Sequence, residues 1–155
     1  MNDNGSMTTN KRVLVIDDDH AITEFLSIVL ETYGFEVLTT NRSEEGLQLI
    51  AEKAPNIITL DLLMPDIDGW DMCKRIRALS TVPILIISVI DDPVTIASML
   101  DSGADDYIVK PLTNEILIAH LNTLLRRSST MGTYAQAVKP TVKPKWLPGT
   151  APLPT

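Results

Sequence analysis

Four short apolar runs in this sequence end on residues that can do chemistry. "VLVI" runs into Asp17, Asp18 and Asp19, "IITL" into Asp61, "ILII" into Ser88, and "YIV" into Lys110 followed by Pro111. If the runs lie side by side, their ends bring together several carboxylates, one hydroxyl and one amine. Carboxylates held within a few ångströms of each other repel, and each favours its protonated form unless a cation joins them. All-oxygen ligation, few protein ligands and room for water suit Mg²⁺. Asp61 therefore stands without a partner among its sequence neighbours because its partners come from other strands, from a divalent cation and from Lys110. Each residue also has a plainer reading. Asp19 precedes a helix and fits a cap; Asp66 and Asp68 fit turn acids around Pro65 and Gly69; Ser88 could simply end a strand, and Lys110 could be a solvated lysine. Four such residues at the same end of one sheet exceed what chance supplies.

The elements that must position these residues follow from hydrophobic period. "RVLVID", "FEVLTT", "NIITLD", "PILIIS" and "DYIVK" are short, β-branched and apolar almost throughout, as strands covered on both faces must be. Between and after them lie "HAITEFLSIVLETYG", "SEEGLQLIAEKA", "GWDMCKRIRALS", "PVTIASMLDSG" and "TNEILIAHLNTLLRRS", with helical spacing. Ile22, Phe25, Leu26, Val29 and Leu30 form one apolar stripe, and Leu117, Leu121, Leu124 and Leu125 another. Gly34 and Gly103 suit helix C-termini, while Ser43, Asp92 and Thr113 suit N-caps. A strict (βα)5 alternation predicts an α/β fold: a doubly wound, five-stranded parallel sheet with helices on both faces and right-handed crossovers. In such sheets ligands bind at the carboxyl ends of the strands, where the strand order reverses.

Composition narrows the function classes. The 155 residues are 45% hydrophobic, enough for one core. No apolar run is long enough to span a bilayer and no secretory signal core is evident, so a cytoplasmic location with no membrane partner is expected. The lone Cys73 reads as a free thiol on a helix. Of the net charge of −7, residues 128–155 contribute +3 through Lys139, Lys143 and Lys145, leaving −10 on the body. An acidic body argues against nucleic-acid binding by this domain, because phosphate contacts need clustered Lys and Arg.

The motifs "VLVIDDDHAI", "LDLLMPDIDG", "ILIIS" and "GADDYIVKPL", with the closing "LLRR", make residues 11–127 resemble a response-regulator receiver domain, the CheY-like phosphoacceptor of two-component signalling. The likeness is greatest to receivers of the OmpR/PhoB type. The resemblance implies a flavodoxin-like fold with Asp61 as phosphoacceptor, and Mg²⁺ held by Asp18, Asp61 and the backbone carbonyl of Leu63, with Asp17 binding through water. Lys110 would pair with the phosphoryl group, positioned by a cis bond to Pro111. Ser88 would swing to the acyl phosphate and Tyr107 turn into the space it leaves. The partners implied are a histidine kinase or phosphotransfer protein, a downstream effector protein or domain, and a second copy through the fourth helix, fifth strand and fifth helix. Such a domain is not an enzyme beyond its own phosphorylation and slow dephosphorylation.

Several positions depart from the family pattern. Ser88 stands where threonine is commonest, and Val89 where a small residue is usual. Leu63 and Ile90 are apolar where polar side chains can orient the hydrolytic water, which predicts a long-lived acyl phosphate. His120 replaces an arginine on the dimer face and carries charge only when protonated; His20 reads as a helix-start residue. A metal-dependent phosphatase would need an Asp-x-Asp signature followed by Thr or Ser, and a nucleotide- or flavin-binding domain a glycine-rich loop after the first strand; "DDDHAI" supplies neither. A degenerate receiver that acts only by binding protein would not need the complete set Asp17, Asp18, Asp61, Ser88 and Lys110. Residues 1–10 read as disordered, and residues 128–155, with five prolines and a repeated "VKP", read as a linker or tail in which Trp146 could anchor to a partner.

Overall fold

The computed structural model describes residues 10–134. In chain order its elements are β1 (Arg12–Ile16), α1 (His20–Thr32), β2 (Glu36–Thr40), α2 (Ser43–Lys53), β3 (Ile57–Leu60), β4 (Leu63–Met64), β5 (Ile67–Asp68), α3 (Gly69–Leu79), β6 (Ile84–Ser88), α4 (Pro93–Asp101), β7 (Asp106–Val109) and α5 (Asn114–Tyr134). Five strands form one parallel sheet in the order β2-β1-β3-β6-β7, as the alternation predicts. The chain leaves β1 for β2 on one side and returns to β3 on the other, so the order reverses between β1 and β3. That reversal lies where Asp17 and Asp61 emerge.

The period-2 pattern of the strands sorts their side chains into two cores. Leu14 and Ile16 of β1 pack with Leu47 and Ile50 of α2, Met72 and Ile76 of α3, and Met99 of α4. Val13 and Val15 face the other way, against Leu26 and Leu30 of α1 and Leu117, Leu121 and Leu124 of α5. Helices α2, α3 and α4 thus cover one face, and α1 and α5 the other. Burial of such fully covered aliphatic side chains contributes about 1.5–3 kcal/mol each.

Four details depart from the expectations. Phe25, read as part of the buried stripe of α1, is 57% exposed: Leu26, Val29 and Leu30 fill the seam and the wider arc faces outward. Arg42, not Ser43, is the N-cap of α2; Ser43 is the first helical residue, held by a carboxylate from elsewhere in the chain. The segment read only as a turn holds the antiparallel pair β4–β5, with Leu63 opposite Asp68 and Met64 opposite Ile67. Helix α5 continues past Arg127 to Tyr134, beyond the composition change at residue 128. Residues 1–9 and 135–155, where a disordered start and most of the proline-rich tail are expected, lie outside the described residues. Gly34 and Gly103 end α1 and α4 with φ of +91° and +117°, the left-handed backbone expected of helix C-termini.

Candidate functional site

Parallel register places the chemistry-bearing residues. Ile16 lies beside Leu60 and Ser88 beside Val109, so Asp17, Asp61, Ser88 and Lys110 emerge at the same end of adjacent strands. The ladder continues past the strand ends through Asp61 N–H to the Ile16 carbonyl (3.1 Å) and Lys110 N–H to the Ser88 carbonyl (2.8 Å). The Lys110–Pro111 peptide is cis.

The Lys110 ammonium spans two carboxylates, with Nζ 3.2 Å from Asp17 Oδ2 and 3.3 Å from Asp61 Oδ2. The remaining oxygen of each is held by a main-chain amide two residues on: Asp19 N–H donates to Asp17 Oδ1 and Leu63 N–H to Asp61 Oδ1, both at 3.0 Å. Both carboxylates are therefore fixed at two points. Carboxylate oxygens of Asp17, Asp18 and Asp61 lie within 4.8 Å of one another. Asp17 and Asp61 are largely covered, whereas Asp18 is exposed. Burial pushes the Asp17 carboxyl above its usual range; the Asp19 amide and Lys110 oppose this, and the nearby Asp61 charge adds to it. Three carboxylates against one ammonium leave surplus negative charge in a partly buried site, and every donor is oxygen. The set fits a small divalent cation such as Mg²⁺.

Ser88 and Tyr107 meet on one residue. Ile90 N–H donates to Ser88 Oγ (3.3 Å), and Tyr107 O–H donates to the Ile90 carbonyl (2.7 Å). Tyr107 is thus already turned inward and half-buried. Burial raises its phenol pKa, opposed by a hydrogen bond with Ser88 and reinforced by Asp61, Asp91 and Asp92, so the hydroxyl stays protonated and able to donate. Leu63 and Ile90 flank the site as read, Leu63 half-exposed and Ile90 partly covered, and Val89 faces solvent. His120 Nδ1 lies 2.5 Å from Asp106 Oδ2, so its pairing is within the chain. His20 is the exposed first residue of α1.

Supporting residues came less readily from sequence. Asn41 Nδ2 donates to the Asp17 carbonyl (2.8 Å) and to Thr23 Oγ1 (3.1 Å), tying β2 to the turn that carries the acids. Asp66 Oδ2 accepts from Ser43 N–H (2.9 Å) and Ser43 Oγ–H (2.6 Å), pinning the loop after Asp61 to the start of α2 and holding the Asp66 carboxyl below its usual range. Asp68 caps α3 through Trp70 N–H, and the Trp70 indole donates to Ser98 Oγ of α4 (2.8 Å). Gly69 lets Leu62 pack against the start of α3, since a Cβ there would lie 2.6 Å from Leu62 Cδ2 and 2.9 Å from its Cα. Asn41 and Asp66 act across 18 to 24 residues of sequence, so no local signature announces them.

Comparison with known proteins assigns this arrangement to a class. The response regulator receiver domain family matches residues 13–122. The chain is similar to the transcriptional regulatory protein AfsQ1 of Streptomyces coelicolor, at 39% identity over 121 residues covering 78% of this chain and 54% of that protein. It is equally similar to the DNA-binding response regulator MtrA of Mycobacterium tuberculosis, at 39% over 121 residues, covering 78% and 53%. Among solved structures, a two-component response regulator from Clostridium difficile superposes with a TM-score of 0.74 at 35% identity, covering 77% of this chain and 98% of that one. The receiver domain of the Francisella response regulator 1452 gives 0.73 at 33%, covering 77% and 99%. The chain belongs to the response regulator receiver domain family, a component of two-component systems. It spans about half the length of the curated relatives it matches. Those relatives are transcriptional and DNA-binding regulators, in keeping with the likeness to OmpR/PhoB-type receivers. Among the described residues, no helix is long and apolar enough to cross a membrane.

Proposed function

We propose that residues 11–127 accept a phosphoryl group on Asp61 from a histidine kinase or phosphotransfer protein and pass the change to a downstream effector. The observation that carries this reading is the convergence of Asp17, Asp18, Asp61 and Lys110 at the strand-order reversal, with Lys110 bridging two fixed carboxylates. Phosphoryl transfer asks for an in-line nucleophile and for positive charge on the transferred oxygens. Asp61 is the nucleophile, oriented by the Leu63 amide and Lys110. As its oxygen bonds to phosphorus, the bond from phosphorus to the donor imidazole nitrogen breaks and the nitrogen keeps the electron pair. Lys110 stays at the new oxyanions. Asp18, Asp61 and the Leu63 carbonyl would hold Mg²⁺, with Asp17 bound through water, and the ion would supply the remaining neutralising charge.

The acyl phosphate adds acceptors next to Ser88. Its hydroxyl leaves the Ile90 amide for the phosphoryl oxygens, and Tyr107, on the Ile90 carbonyl, carries that shift to the surface of β7 and α4. His120 paired to Asp106 within its own chain weakens the case for a second copy as the output partner. Intact-protein mass after incubation with acetyl phosphate and Mg²⁺ tests the reading. A phosphoryl adduct is expected on the native chain and absent from Asp61→Asn; equal adducts on both would overturn the assignment.

A further inference from the structure

Asp18 is the loosest member of the acidic site. The carboxylates of Asp17 and Asp61 are each held at two points, by the Lys110 ammonium and by a main-chain amide. The Asp18 carboxylate is exposed and accepts no hydrogen bond among the described residues, although one of its oxygens lies within 4.8 Å of an oxygen of each of the other two. A side chain with no partner of its own is aimed by its main chain.

That main chain is gripped from the end of β2. Asp17 N–H donates to the Thr40 carbonyl (3.2 Å), and the Asp17 carbonyl, which belongs to the peptide joining Asp17 to Asp18, accepts from Asn41 Nδ2 (2.8 Å). The second Nδ2 proton goes to Thr23 Oγ1 (3.1 Å), whose own hydroxyl donates to the His20 carbonyl (3.1 Å). One carboxamide thus spans the acidic turn, from the peptide before Asp18 to the first turn of α1. Its orientation is forced, because a carbonyl can only accept and the Thr23 proton is already committed, so both partners take their proton from the nitrogen. Asp17 and Thr23 are only 3% and 4% exposed, so water is a poor substitute for the lost donor.

The neighbouring elements do not need this tie. Asp19 caps α1 by itself through Ala21 N–H (2.9 Å), and β2 pairs with β1 over five residues. What Asn41 holds is the turn between them. We propose that Asn41 is a positioning residue for the divalent cation: by fixing the Asp17–Asp18 peptide it aims the Asp18 carboxylate, and so sets the affinity of the site for Mg²⁺ and its preference for Mg²⁺ over a larger ion. The proposal rests on the phosphoacceptor reading only in placing Mg²⁺ on Asp18. Mg²⁺ demands near-ideal octahedral geometry, whereas Ca²⁺ takes more oxygens in flexible arrangements. A ligand that wanders therefore costs Mg²⁺ more than Ca²⁺.

Amide-shift titrations of the full chain with MgCl2 and with CaCl2, in the absence of any phosphodonor, test it. Asn41→Ala is expected to weaken Mg²⁺ binding ~tenfold, the lower end of what losing an outer contact to a metal ligand costs, and to weaken Ca²⁺ binding much less. Thr23→Val, which removes the hydroxyl at nearly constant size, is expected to move the ratio of the two affinities the same way by a smaller factor, and Thr23→Ser to leave it unchanged. That pair reads the same tie should Asn41→Ala fail to fold. Native Mg²⁺ affinity in folded Asn41→Ala, or an equal loss for both ions, would overturn the proposal, because a general loosening of the fold does not choose between cations. The acetyl-phosphate adduct on the native chain is a separate arm. No adduct, with the Asn41 effect intact, would sink the phosphoacceptor reading alone; an adduct with no Asn41 effect would sink this proposal alone.

Discussion

Lys110 reaches two carboxylates that share no element, and main-chain amides hold the other oxygen of each. At the scale of single residues the site is thus a rigid anionic cradle with one built-in cation. The same scale decides how long a phosphoryl group would persist. Leu63 and Ile90 place hydrocarbon where a hydrolytic water would need an orienting partner, so the acyl phosphate of the native chain is expected to decay over hours. Leu63→Asn and Ile90→Glu are each expected to speed that decay several-fold, because a positioned polar group assists proton transfer to or from the water. Loss of the adduct mass with time after acetyl phosphate is removed reads this directly; decay within seconds for the native chain would contradict it. Asp17, Asp61, Ser88 and Lys110 were legible in sequence because each ends a recognisable apolar run. Asn41 was not, since its value lies in reaching the Asp17 carbonyl and Thr23 from another strand.

At the scale of elements, Asp66 shows how the loop carrying the site is held. Its carboxylate takes both the amide and the hydroxyl of Ser43, acting as a cap for α2 supplied from the β4–β5 turn. Asp66→Ala is expected to lower stability by about 1 kcal/mol, the usual worth of a helix cap. The Ser43 hydroxyl and amide hold the folded-state Asp66 carboxyl below the usual carboxylate range. Its contribution is therefore present above the unfolded-state value and is lost as pH falls through the folded value, so the native chain loses stability on that acid limb and Asp66→Asn loses less. Urea unfolding at neutral pH and at steps down the acid limb measures both effects. Sequence period gave the five strands, the five helices and most of the caps, because both cores demand alternation of period 2 and 3.6. The β4–β5 pair escaped because two residues per strand carry no period. The end of α5 escaped because polar residues such as Ser128 and Ser129 are tolerated on an exposed helical extension, whereas prolines begin only at Pro140. Phe25 misled because an aromatic at helical spacing reads as core even when its neighbours already fill the seam.

At the scale of the whole molecule, one sheet serves two cores and brings Asp17, Asp61, Ser88 and Lys110 to the same end of its strands. Ile86 of β6 is fully buried in the core beneath α3 and α4, two residues before Ser88. Ile86→Ala is expected to destabilise the fold by about 3 kcal/mol through lost burial and a cavity, while leaving the side chains of the acidic cradle in place; thermal unfolding measures the first and Mg²⁺ titration of the folded variant the second. The molecule also divides by charge, with an acidic body joined to a basic, proline-rich segment. The proposed event at this site is formation of an acyl phosphate on Asp61, a bond that can be located covalently. Borohydride reduces an acyl phosphate to an alcohol, turning a phosphorylated aspartate into homoserine. After treatment with acetyl phosphate and Mg²⁺, then borohydride, peptide mapping of the whole chain is expected to find homoserine at position 61, within Ala54–Lys74, and nowhere else; homoserine at position 17 or 18, or none at all, would contradict the account.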